Sequence, residues 1–169
     1  METRLCAVEQ RSHELEQGQL KNYTEVSGLP ALENEDPVLV VRNLAKKLNI
    51  EDPGEIIAKR VGNYGEKPGY ILMELQEEKR CCWLQKARTV KPVLGDLIPN
   101  AEENESGRKI FVREALTPHN KALLWKARQQ LSDTFKYVWF NDGKIRAREE
   151  DKNEVFILRK EADIGTLLC

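Results

Sequence analysis

Turn residues cut the stretch from Tyr23 to Arg113 into short pieces, and the order of those pieces is what most constrains the fold. Tyr23-Thr24-Glu25-Val26-Ser27 reads as a strand stopped by Gly28-Leu29-Pro30. An acidic loop, Glu33 to Asp36, leads into Pro37, which suits the first turn of a helix. Its apolar stripe would be Val38, Val41, Leu44, Ala45 and Leu48. Asp52-Pro53-Gly54 breaks the chain before a second strand, Ile56 to Val61, and a loop from Gly62 to Gly69 leads to a third, Tyr70 to Leu75. A helix from Gln76 to Arg88 follows, with Cys82, Trp83 and Ala87 as its core-facing positions. After a polar linker, Asn100 to Gly107, Lys109 to Arg113 reads as a fourth strand. The resulting β-α-β-β-α-β order is the ferredoxin-like split arrangement of an α+β domain, which the RNA-recognition motif shares with many unrelated modules. Function is not decided by it.

The remainder predicts a second, smaller α/β unit. Thr117 can cap a helix that has Pro118 at its first position and Leu123, Leu124, Ala127 and Leu131 on its buried side. Asn141-Asp142-Gly143 between Lys136–Phe140 and Lys144–Arg148 is a strong hairpin signal. A last strand, Val155 to Leu158, and a short helix from Glu161 would close the unit, with Glu149-Glu150-Asp151 as a loop. Strand side chains alternate with period two, so Lys144, Arg146 and Arg148 must share a face. Lys121, Trp125 and Arg128, spaced by four and three, lie on neighbouring helical turns. The expected division is therefore residues 1–21, 22–114 and 115–169. In the first segment Leu5, Val8 and Leu15 have the spacing of a helical seam, interrupted by Ser12 and Gln19. This fits either the end of a coiled coil or a frayed amphipathic lead-in, the latter being preferred for an isolated monomer.

Charge is unevenly distributed. Between Arg108 and Arg148 stand ten Lys/Arg against three acids, although the whole chain has net charge -1. Trp125 and Trp139 fall in the same stretch. Cations that gather phosphates, together with rings that stack bases, are the footprint of a single-stranded nucleic-acid binder; a solvated basic face beside an ordinary core has the same composition. Trp83 and Trp125 read as core residues, since tryptophan more often anchors packing.

Several function classes lack their residues. No segment has the length of a membrane span, and METRLCAVEQRSHELEQ is charged where a signal peptide would be apolar, so a cytoplasmic or nuclear protein without membrane association is expected. Cys6, Cys81, Cys82 and Cys169, with His13 and His119, have no zinc spacing, and no metal or other cofactor is expected. Cys81 and Cys82 read as buried thiols. Asp96 and Asp163 are isolated acids, His119 is expected to bond locally or face solvent, and no Ser or Cys has an activating partner. Gly62-Asn63-Tyr64-Gly65 lacks the lysine and the strand-to-helix setting of a phosphate loop. The chain is not expected to be an enzyme.

The run KIFVREALTPHNKALLWKARQQLSDTFKYVWFNDGKIRAREEDKNEVFILRKEADI resembles the C-terminal domain of the baculovirus FP (few-polyhedra) protein and its insect relatives, many of them retroelement-derived. NYTEVSGLP, LAKKLNI, RVGNYGEKPGYILMEL and WLQKAR extend the resemblance upstream in the same order, over Asn22 to Leu168. What it implies is an RNA-recognition-motif-like domain followed by a small C-terminal domain and preceded by a coiled coil. The first-open-reading-frame protein of LINE-type retrotransposons has this plan, oligomerises through its coiled coil and binds single-stranded nucleic acid. In that family the cleft between the two domains and their basic residues contact the backbone. Arg113, Lys121, Arg128, Lys144, Arg146 and Arg148 match that role here, with Trp139 as a stacking ring. Departures from the pattern are Glu74 in place of an arginine, the less basic Glu66-Lys67-Pro68-Gly69, and Glu149-Glu150 in place of lysine-rich sequence. Acids near a phosphate path repel the backbone, so the first domain's sheet is a poor binding surface. The resemblance thus implies a single-stranded nucleic-acid partner and a homo-oligomer through the N-terminal helix. The alternative is a scaffold whose N-terminal helix and basic face meet protein partners.

Overall fold

The computed structural model describes residues 2–30, 34–62 and 69–169. They form a mixed α+β protein with two antiparallel sheets and six helices. The chain divides into two compact units, Asn22–Ala115 on one side and Met1–Lys21 together with Leu116–Cys169 on the other.

In the first unit, β1 (Tyr23–Ser27) leads to α2 (Pro37–Lys47), β2 (Ala58–Val61), β3 (Tyr70–Glu74), α3 (Glu77–Val90), a short α4 (Leu94–Leu97) and β4 (Phe111–Glu114). The strands lie in the order β2-β3-β1-β4, each antiparallel to its neighbours. Asp36 caps α2 as Pro37 requires: its carboxylate accepts the Val38 and Leu39 amides at 3.1 and 3.4 Å. The inward sheet positions, Val26, Ile71 and Met73, pack with Val40, Val41 and Leu44 of α2 and with Trp83 and Ala87 of α3. Arg60 ties loop ends together, donating to the carbonyls of Leu29, Pro30 and Gly69 at 3.1–3.3 Å and to Glu35.

The expected burial of the adjacent cysteines is corrected in this unit. Cys81 and Cys82 are exposed; the buried positions of α3 are Arg80, Trp83 and Ala87. Arg80 occupies the inward site because it pairs with buried Glu114 at 2.9 Å, so the helix spends a core position on an ion pair. The internal stretch 100–107 is fastened to α4, where the Gly95 amide donates to the Ser106 carbonyl at 2.9 Å. Residues 31–33, at the start of the acidic loop, and 63–68, which include Asn63-Tyr64-Gly65 and Glu66-Lys67-Pro68, lie outside the described residues.

In the second unit, α1 (Glu2–Gly18) joins α5 (Pro118–Leu131), the meander β5 (Tyr137–Asn141), β6 (Lys144–Arg148) and β7 (Phe156–Leu158), and α6 (Glu161–Leu168). Asp142 and Gly143 both have positive φ, 50° and 74°, as a two-residue hairpin turn demands. The core is Leu116, Leu123, Leu124, Ala127, Leu131, Phe135, Ile145, Ala147, Leu158 and Ile164. The N-terminal segment is a continuous helix of 17 residues, not a frayed lead-in, because a polar side of it is anchored. Gln17 is buried, and its side-chain carbonyl accepts the Thr117 amide at 3.0 Å and the Asn120 side-chain amide at 2.9 Å, so α1 helps to cap α5. His13 stacks on His119 with ring centroids 3.6 Å apart and planes 6° from parallel. The Leu5, Val8 and Leu15 side is left exposed.

Candidate nucleic-acid interface

Alternation along β5 and β6 sorts their side chains onto two faces. Val138, Phe140, Ile145 and Ala147 join the core beneath. Tyr137, Trp139, Lys144, Arg146 and Arg148 share the opposite face, where the register sets Tyr137 across from Arg148, Trp139 across from Arg146, and Asn141 across from Lys144. Three cations and two aromatic rings are thereby brought onto one sheet surface by a hairpin whose turn was legible as Asn141-Asp142-Gly143.

The Arg148 guanidinium lies 4.8 Å from the Tyr137 ring centroid and 5.8 Å from that of Trp139, within cation–π range of both. The Nε atoms of Arg146 and Arg148 are shielded from solvent and have no hydrogen-bond partner. Lys144, at the hairpin tip, is exposed. The surface thus combines cationic side chains with planar rings, the two kinds of group that phosphates and bases use.

Asp151, in the turn after β6, tempers this charge. The Tyr137 hydroxyl donates to Asp151 Oδ1 at 2.7 Å, Lys136 Nζ lies 3.4 Å from Oδ2, and Arg148 Nη2 lies 3.8 Å from Oδ1. The Tyr137 hydrogen bond, followed by Lys136, holds the Asp151 carboxyl below its ordinary value. Lys136 is held above its ordinary value by Tyr137 and then Asp151. Sequence reading missed this cluster because Lys136 and Asp151 lie 15 positions apart.

The other site candidates are placed differently. Lys121 and Arg128 lie on α5, and Arg128 donates from Nε to the Val138 carbonyl of β5 at 3.4 Å, which carries the basic character to that strand. Trp125, between them, is 63% exposed and is not a core residue; α5 buries its Leu123, Leu124, Ala127 and Leu131 stripe instead. Its spacing from Lys121 and Arg128 carried that signal.

Arg113 belongs to the other unit, on β4 directly across from Glu25 of β1. It donates from Nε to Glu25 Oε2 at 3.2 Å. The face of that sheet turned away from α2 and α3 also carries Glu74, which accepts from the Tyr23 hydroxyl at 3.3 Å. Glu74, then desolvation, holds Tyr23 above its ordinary value.

The isolated acids Asp96 and Asp163 and the His119 imidazole have structural partners. Asp96 accepts the Val93 amide at 2.9 Å and pairs with Lys47 at 3.1 Å. Asp163 caps α6 by accepting the Arg159 and Lys160 amides at 2.7 and 3.1 Å. His119, besides its stack on His13, has Nε2 3.3 Å from the Arg159 carbonyl. Among the described residues no group of three or more His, Cys, Asp or Glu could hold a metal ion, and no helix is long and apolar enough to cross a membrane.

Comparison with known proteins matches residues 21–112 to the family model described as baculovirus FP protein domain 1, and residues 117–168 to baculovirus FP protein domain 2. The chain belongs to the baculovirus FP protein family. It is similar to the FP protein of Lymantria dispar multicapsid nuclear polyhedrosis virus, with 28% identity over 169 residues that cover 97% of this chain and 73% of that one. The basic hairpin lies wholly within the FP domain 2 match, while α1, which docks on the same unit, precedes both matches.

Proposed function

We propose that this FP-family chain is a non-enzymatic nucleic-acid-binding protein that holds single-stranded RNA or DNA mainly through backbone phosphates. The observation that carries the reading is the shared face of Tyr137, Trp139, Lys144, Arg146 and Arg148. Arg128, which donates to the Val138 carbonyl, adds a cation beside β5, while Lys121 and Trp125 lie on α5, which packs against the other, core-facing side of the sheet. Cations of this kind attract any phosphate backbone, so binding is salt-dependent and weakly selective for sequence. The first unit is read as RNA-recognition-motif-like: its strand order and its two helices after β1 and β3 support this. The face of its sheet turned away from the helices carries two acids, buried Glu25 and exposed Glu74, and is unsuited to phosphates, so Arg113 serves that sheet more than the ligand. Photochemical cross-linking of the full chain to a uridine-rich single strand tests the assignment. Adducts at Tyr137 or Trp139 are expected; adducts confined to Tyr23 or Phe111 would move the interface to the four-stranded sheet.

A second reading is favoured by α1. Leu5, Val8 and Leu15 point outward while Gln17 and His13 are docked, which leaves an apolar stripe available to a second helix. In that reading the chain is a scaffold that self-associates through α1 and meets acidic protein partners with its basic face. Sedimentation of the full chain beside a Leu5→Glu/Val8→Glu variant tests it: a mass that falls in the variant supports self-association, and a monomer in both contradicts it.

A further inference from the structure

We propose that Asp151 is a built-in occupant of a phosphate site, and that a backbone phosphate of single-stranded nucleic acid binds the second unit by displacing it. The inference rests on the nucleic-acid-binding reading and names a device within that site. Three donors of different kinds converge on this one carboxylate: the Tyr137 hydroxyl at 2.7 Å, Lys136 Nζ at 3.4 Å and Arg148 Nη2 at 3.8 Å. A hydroxyl, an ammonium and a guanidinium around one anion form a set that a phosphodiester oxygen satisfies as well as a carboxylate does.

The carboxylate's hold is of a kind that a ligand can break. Asp151 is 65% exposed, and exposed ion pairs hold weakly against a competing anion. It sits in the turn between β6 and β7, next to Lys152, whose φ of 74° is left-handed, a conformation that a lysine adopts at some cost. The three donors border the shared face directly: Tyr137 and Arg148 are its cross-strand pair, and Arg148 also lies over Trp139. A phosphate taking the place of Asp151 would therefore stand at the edge of the rings on which its base could stack.

Displacement involves no covalent step. The carboxylate swings out into water, and the phosphate inherits the three donors. Until then Asp151 makes the site self-neutralising and lowers its affinity for anions generally.

The test compares the full chain with Asp151→Asn and with Glu150→Gln, which removes the same charge from the neighbouring position of the same turn. Binding of a labelled uridine 20-mer, longer than the roughly 4–16 nucleotides that a small single-strand-binding fold covers, is read by anisotropy. Asp151→Asn is expected to bind about two- to fivefold tighter than the parent, the worth of one exposed ion pair, and Glu150→Gln to stay nearer the parent. Equal gains in the two variants, or no gain in Asp151→Asn, would overturn the proposal while leaving nucleic-acid binding intact. If none of the three proteins binds the oligonucleotide, the functional reading fails, and inorganic phosphate then decides the inference alone. Phosphate-induced NMR shifts at Tyr137, Lys136 and Arg148 that are larger in Asp151→Asn than in the parent would support it, and equal or absent shifts would overturn it.

Discussion

Arg113, on the edge strand β4, donates to Glu25 of the neighbouring β1, and Glu25, although it lies on the face turned away from the helices, is only 1% exposed. A carboxylate taken so far out of water needs cationic and hydrogen-bonding company to stay charged, and Arg113, with 44% of its side chain exposed, supplies part of it. Replacing Arg113 by Ala is expected to cost about 1–3 kcal/mol, below the figure for a wholly buried pair because this arginine is partly hydrated. Urea unfolding checks the value, and an Arg113→Ala/Glu25→Gln double variant should recover part of the loss. The same single variant is expected to bind oligonucleotide almost as the parent does.

Trp125 and Trp83 should behave in opposite ways. Trp83 is 3% exposed within the first core, so Trp83→Ala is expected to cost about 3–5 kcal/mol of stability. Trp125→Ala should leave stability within about 0.5 kcal/mol of the parent. Since the ring lies on α5, across the core from the β5–β6 face, a further cost of about 1–3 kcal/mol in nucleic-acid affinity is expected only where the strand also passes over α5 and a base stacks on the ring. Thermal unfolding and oligonucleotide titration of the two variants separate the roles.

Much of this arrangement was legible in the sequence. Thr117-Pro118, Asp36-Pro37 and Asn141-Asp142-Gly143 are local signals whose chemistry acts within a few residues, and the helices and hairpin they predict are present. The shared face of Lys144, Arg146 and Arg148 followed from strand periodicity alone. What could not be read depends on partners distant in the chain. Arg80 is inward because Glu114 faces it, and the exposure of Cys82 follows from that rotation of α3. Gln17, which no local sequence signal marks, is buried because Thr117 and Asn120 need an acceptor 100 or more positions away. Trp125 reads as core only when residue type is given more weight than its place opposite the Leu123, Leu124, Ala127 and Leu131 stripe.

The Gln17 contact predicts a local effect. Gln17→Ala removes the acceptor of two donors at the start of α5, one of them the buried Thr117 amide, and is expected to cost about 1–2 kcal/mol. Amide hydrogen exchange should quicken throughout α1 while the strands of the first unit keep their protection.

The Asp151 cluster sets a pH window. The lowered Asp151 value contributes stability that is complete above its ordinary 3.8 and is lost as pH falls through the lowered value. The raised Lys136 value contributes stability that is complete below its ordinary 10.5 and is lost as pH rises through the raised value. The turn contact is thus expected to be intact at neutral pH and to open at both extremes. Since the Tyr137 hydroxyl is the largest influence on Asp151, Tyr137→Phe should move the carboxyl titration, followed by carbon NMR, back toward 3.8.

The most direct test of nucleic-acid binding at the β5–β6 face is fluorescence anisotropy of the full chain with labelled single-stranded RNA across a salt series, beside a Lys144→Ala/Arg146→Ala variant of confirmed fold. Binding is expected to weaken with salt, and the variant's log–log salt slope to be shallower by about 0.7 for each phosphate it no longer neutralises. Absence of binding by the folded parent at low salt, or a variant with the parent's affinity and slope, would contradict nucleic-acid binding at that face.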